Sequence, residues 1–175
     1  MLAGCGGIDV QRQEQARTAA EEILLLNRTA KGKQHYEPGN GGGGWKPTEM
    51  SLEIAELSAN WMRPPVWRNP EYAPILLDCQ PAENLWSLVA TFVYCDGWDK
   101  LGRPPLPYVE YQSRNGEPWK VVPLEKRLIG RKTNLHTGPK SGGEPRLVTV
   151  EERDWRNRSA GAKYRKIVAE WRTGC

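Results

Sequence analysis

The chain reads as an α+β domain that is mainly antiparallel β: a small sheet or sandwich with a helix near each end. Three observations predict it. Residues 85–95 form one long apolar run, residues 50–55 alternate apolar and polar side chains, and Asn115-Gly116 joins two segments of strand-like composition.

In chain order, residues 9–31 place Ala16, Ala19, Ala20, Ile23, Leu24, Leu26 and Ala30 near the helical period, which predicts one amphipathic helix ended by Gly32. Residues 32–47 hold His35, Pro38, Asn40 and four glycines at 41–44, too little apolar surface to offset ordering entropy, so a flexible linker is expected. The expected division is therefore a mature N-terminus over 1–8, a helical stalk over 9–31, a glycine-rich linker over 32–47 and an antiparallel β domain with a C-terminal helix over 48–175.

Within that domain Met50, Leu52 and Ile54 alternate with Ser51, Glu53 and Ala55, the period of a half-buried strand. Residues 61–70 carry three prolines and two tryptophans; proline has no N–H and restricts its predecessor, so an ordered loop or extended edge is expected, with Trp61 and Trp67 lying on the sheet. Ile75, Leu76 and Leu77 suggest a short strand. Residues 85–95 suggest a central one covered on both faces. A proline-rich connection over 102–107 leads to a strand at 108–112, the Asn-Gly turn and a return strand at 119–122. A short helical turn over 124–129 closed by Gly130, an extension over 131–137 and a short strand at Leu147-Val148 follow. Thr149 and Glu152 have the spacing of a capping box, which opens a helix expected to run to about Trp171.

A length of 175 residues suits one domain with a real core, and 8 Trp, 6 Tyr and 1 Phe promise an aromatic interior under a wet surface of mean hydropathy -0.68. No apolar run reaches the roughly 18 residues a spanning helix needs. The formal charge of +4 is concentrated in residues 145–175, with eight Lys/Arg against four Asp/Glu, a modest bias that argues against a nucleic-acid footprint. Arg153, Arg156, Arg158, Lys163, Arg165 and Lys166 are expected on the basic face of the last helix. That face either meets anionic headgroups or an acidic partner, or simply solvates a helix docked on the sheet.

Two histidines, His35 in the expected linker and His136, leave few parts for histidine-based catalysis. Asp96 and Asp99 flank Gly97-Trp98 and read as turn residues, with Trp98 either a core cap or a stacking platform. Neither the glycines at 41–44 nor Gly130-Arg131-Lys132 has phosphate-loop spacing, and a metal at His136, Cys79 and Cys95 would lack a fourth ligand, so no cofactor, metal or catalytic residue is assigned. Cys79 and Cys95 are the natural disulfide pair in an oxidising compartment, and free thiols otherwise. Asn27-Arg28-Thr29 and Asn157-Arg158-Ser159 match glycan acceptors but fall on expected helices.

Leu2-Ala3-Gly4-Cys5 resembles the lipobox of bacterial lipoproteins, and the body resembles proteobacterial envelope proteins of no characterised family. The resemblance implies lipid on Cys5 and, with Gly6 rather than Asp following, a place on the periplasmic side of the outer membrane. The expected function is then a lipid-tethered envelope binding or assembly module without catalysis. Its membrane contact is the lipid alone, and its partner is an envelope protein or glycan met through Trp61, Trp67, Trp98, Arg103 and Tyr108. The alternative is a cytoplasmic accessory protein of phage or mobile-element type that uses the basic C-terminal helix on nucleic acid or an acidic partner.

Overall fold

The computed structural model describes residues 7–36, 43–57, 61–136 and 147–171. Strands β1 (Gly7–Arg17), β2 (Ile23–Tyr36) and β3 (Gly43–Glu56) form consecutive antiparallel hairpins. β4 (Trp67–Asn69) adds to β3, and β9 (Leu147–Val148) pairs in parallel with β1, giving the order β4-β3-β2-β1-β9. The second sheet has the order β5-β6-β7-β8, from β5 (Tyr72–Gln80), β6 (Leu85–Phe92), β7 (Tyr108–Arg114) and β8 (Lys120–Val122). Among the described residues there are also three short α-helices, α1 (Cys95–Lys100), α2 (Val150–Asn157) and α3 (Ala162–Arg165). Mostly antiparallel β structure with little helix is the predicted fold class.

The two sheets pack face to face. Leu24, Leu26, Met50, Leu52 and Ile54 from the first meet Leu77, Trp86, Leu88 and Phe92 from the second in one buried cluster. β6 is buried along its whole length because its other face is also covered: Val89, Ile75 and Leu76 lie under Leu128, Tyr108 and Ile167. Leu124, Leu128 and Ile129 together with Tyr164, Ile167 and Val168 thus form a third layer over the second sheet. The free edge of β5 is closed by a side chain acting as a strand. Asn134 accepts from the Leu77 amide at 2.8 Å and donates to the Leu77 carbonyl at 2.6 Å, which removes an edge open to further pairing.

Several expectations are corrected. The helix over 9–31 is β1, a turn and most of β2. Glu14 and Ala16 on one strand, and Leu24, Leu26, Arg28 and Ala30 on the other, are buried at even spacing. Ala16, Leu24 and Ala30 fit either period, and cross-strand pairing overrides the helical preference of Ala, Gln and Glu. The turn at 18–22 is closed by a Thr18 amide to Glu22 carbonyl bond of 2.9 Å, with Glu21 at φ 63. Residues 32–47 are no linker through most of their length, since Lys33 pairs with Lys46 and Tyr36 with Gly43; residues 37–42, with the first two glycines of the 41–44 run, lie outside the described residues. The stalk therefore belongs to the body. Among the described residues of the expected extension over 131–137, a single bridge forms, Lys132 to Lys166. The C-terminal helix starts at its capping box, Thr149 accepting from the Glu152 amide, but ends at Asn157; after α3 the backbone extends at Lys166, φ -156.

Candidate binding surface

Residues 61–66 form an extended strap across one end of the sandwich, pinned from within. The Trp86 indole donates to the Met62 carbonyl at 2.8 Å, the Trp119 indole to the Pro65 carbonyl at 2.7 Å, and Arg63 to the Ala55 carbonyl at 3.0 Å. Trp61 stands edge-on to Trp86, ring centroids 5.5 Å apart. The Asn-Gly turn completes the fit: Asn115 and Gly116 both have positive φ, and a Cβ on Gly116 would lie 3.2 Å from the Arg63 carbonyl oxygen. What faces outward is apolar. Met62 on the strap is 52 % exposed, next to half-buried Trp61, and Val121 on β8 is 68 % exposed, two residues past half-buried Trp119, whose indole reaches the strap. Exposed ion pairs flank this patch, Arg114 with Glu83 at 3.0 Å and Lys120 with Glu117 at 2.8 Å, so an apolar centre has a polar rim.

Among the residues expected to bind, Trp61 stays half-exposed and belongs to this patch, Trp67 and Tyr108 are corrected to core positions, and Trp98 takes the core-cap place of its two readings. Trp67 is buried between the sheets, edge-on to Tyr111 at 5.6 Å. Trp98 is the core cap: it packs near Phe92 and edge-on to Trp171 at 5.3 Å, and its indole donates to the Pro104 carbonyl at 3.1 Å. Tyr108 is buried with its hydroxyl taken by the Val168 amide at 3.1 Å and the Lys166 carbonyl at 3.2 Å. Arg103 is exposed, ion-paired with Asp99 at 2.7 Å and over the Trp98 ring at 5.5 Å.

The single basic helix face is also corrected. Arg153 is buried, donating to the Asn134 carbonyl at 2.7 Å, while the apolar Trp155 of α2 is exposed. Arg156 pairs with Glu152. Lys163 lies 3.6 Å from the centre of the Phe92 ring, and burial lowers its pKa to about 8. Arg158, at the end of α2, and Arg165 and Lys166, at the end of α3, remain exposed.

A buried polar centre lies on the inner face of the first sheet, where no site was expected. Arg12 is opposite Arg28 across β1 and β2, and Glu14 on the next inward position accepts from Arg28 at 2.8 Å. The His136 amide also donates to Glu14. Burial, then the charge of Arg28, lowers the Arg12 pKa to about 10; burial, then the charges of Arg12 and Arg28, lowers that of His136 to about 3. An imidazole of that basicity accepts no proton at neutral pH. Reading 9–31 as strands would have revealed this centre, because Arg12, Glu14 and Arg28 then fall on the face of Ala16 and Leu24.

The Cys79–Cys95 pair is corrected as well. Cys79 is a free, buried thiol, pushed up to about 12 by burial, whereas Cys95 is in a disulfide whose other half lies outside the described residues. Cys5 also lies outside them. Among the described residues no group of three or more His, Cys, Asp or Glu is arranged to hold a metal, and no helix is long and apolar enough to cross a membrane. Comparison with protein-family models, with curated proteins and with solved structures finds no match to the chain.

Proposed function

We propose that the chain is a non-catalytic envelope module, lipid-anchored through Cys5 on the periplasmic side of the outer membrane, that docks a partner protein on the surface made by Trp61, Met62, Trp119 and Val121. The observation that carries this reading is the exposure of Met62, on a strap held by two indole hydrogen bonds, and of Val121 on β8. A prearranged apolar patch loses little entropy on binding. A protein partner is favoured over a glycan because the Trp86 and Trp119 N–H groups point inward to carbonyls, leaving apolar edges where a sugar would need donors. The cytoplasmic alternative loses support from the burial of Arg153 and the pairing of Arg156, since phosphate contacts need clustered free cations.

The anchor is tested by growing cells that express the chain from its native reading frame in isotope-labelled palmitate. Wild type takes up label and Cys5→Ser does not; an unlabelled wild type overturns the anchor. Lipid on Cys5 leaves Cys175 as the one remaining cysteine for Cys95, so peptide mapping is expected to recover a Cys95–Cys175 linkage, and a Cys5–Cys95 linkage would contradict the reading.

A further inference from the structure

Residues 130–133 run antiparallel to residues 165–167 over the second sheet. The Gly130 amide donates to the Ile167 carbonyl at 2.7 Å, the Ile167 amide to the Arg131 carbonyl at 2.9 Å and the Thr133 amide to the Arg165 carbonyl at 3.1 Å. Side chains alternate across such a ladder. Arg131 reaches inward to Asp78 at 2.5 Å, the Thr133 hydroxyl donates to the Tyr164 carbonyl at 2.7 Å and Ile167 is buried, so Lys132 and Lys166, which pair directly, both point outward and are exposed. Like charges opposite one another on one face of a strand pair destabilise it. Lys33 and Lys46 are also directly opposed, on β2 and β3, but there Asp96 meets Lys46 at 3.0 Å. Exposed Lys126, on the helical turn just before the ladder, and exposed Arg165 extend the group. Among the described residues none of Lys126, Lys132, Arg165 and Lys166 is in an ion pair, and Glu170, four residues past Lys166, meets none of them. The other acids of this layer are engaged inward, Asp78 by Arg131 and Arg127, and Glu125 by Arg127.

We infer that Lys126, Lys132, Arg165 and Lys166 form a docking surface for the phosphates of anionic lipid headgroups, a contact that goes beyond the partner reading above and needs no acyl chain. The chemistry of the cations selects the anion. This layer engages its arginines with carboxylates, Arg131 with Asp78 and Arg127 with Glu125, and leaves lysines to solvent. A guanidinium fork matches a carboxylate, whereas a lysine ammonium meets phosphate as a point charge. The shape selects the source. These side chains project outward from a shallow ladder, so a single phosphate ion meets one or two of them, while a leaflet offers a phosphate to each. Nucleic acid fits less well, because among the described residues of this layer no exposed ring offers a base a stacking platform: Tyr108 is buried and Tyr164 half-buried. The opposed lysines cost the fold and suit an anionic surface.

The test is co-sedimentation of the full-length chain, in a form whose mass shows no acyl group, with phosphatidylcholine vesicles that do or do not contain phosphatidylglycerol. Wild type is expected to bind only the vesicles with phosphatidylglycerol. Each lysine beside an anionic leaflet is worth about fivefold in partitioning, so Lys132→Gln/Lys166→Gln is expected to bind about 25-fold more weakly. Lys33→Gln/Lys120→Gln removes the same charge from exposed positions elsewhere. It is expected to stay within about twofold of wild type at physiological salt, where charges more than about 8 Å from the leaflet are screened. Lys132→Glu places opposite charges across the ladder and is expected to weaken vesicle binding while the urea midpoint rises, which separates loss of binding from loss of fold. Absence of phosphatidylglycerol-dependent binding by the wild type, equal losses in the two double variants, or undiminished binding by Lys132→Glu overturns the surface. Tighter binding of a short DNA duplex than of the vesicles at the same salt overturns lipid as its occupant.

Discussion

The two ends of the sandwich are built from similar material and finished differently. Each has a tryptophan followed by a proline-rich stretch, Trp61 before Pro64 and Pro65 at one end and Trp98 before Pro104 and Pro105 at the other. At the α1 end the chain covers its own aromatics. Trp171 closes on Phe92 and Trp98, each at 5.3 Å, and Lys163 seals the cluster over the Phe92 ring. At the strap end the indole N–H groups are satisfied inward, yet Met62, and Val121 on β8, stay more than half exposed. Composition alone does not make a binding surface; what the rest of the chain lays over it decides.

The strongest challenge to this contrast is truncation at each end. Trp98→Ala is expected to cost about 3–5 kcal/mol in denaturant unfolding, since it empties a buried aromatic site, while Val121→Ala costs within about 0.5 kcal/mol. Equal costs would mean that both ends are core, or both surface. A smaller effect comes from the buried centre near the α2 side. His136 has a folded pKa near 3 against an ordinary 6.5, so the unfolded chain binds the extra proton first. Its contribution is present above pH 6.5 and is lost progressively as pH falls from about 6.5 toward 3. His136→Gln is therefore expected to flatten the fall in unfolding free energy between pH 6.5 and 5 relative to wild type, a slope that repeated urea titrations measure. An unchanged slope would mean that the imidazole is not held neutral.

Legibility in the sequence followed the distance over which each feature is decided. β6, the Asn-Gly hairpin, the alternation of Met50, Leu52 and Ile54 and the capping box at Thr149 are local patterns, and all are found. β1 and β2 were obscured because even spacing in an Ala- and Gln-containing segment also resembles a helical face, and because Arg12, Glu14 and Arg28 look solvent-facing until they pair across strands. The burial of Trp98 depends on Trp171, and that of Arg153 on a carbonyl at Asn134, partners that no window around either residue contains. Trp61 could be placed on the surface from its prolines. Trp119 and Val121 could be placed on a hairpin strand, but not beside it.

The central claim is that the strap end is the surface a partner covers. Hydroxyl-radical footprinting of Met62, compared between purified protein and intact cells, tests it most directly, with exposed Ile23 as the internal reference. The account predicts rapid Met62 oxidation in the purified protein and at least threefold protection in cells, with Ile23 unchanged. Equal Met62 oxidation in both settings would contradict it.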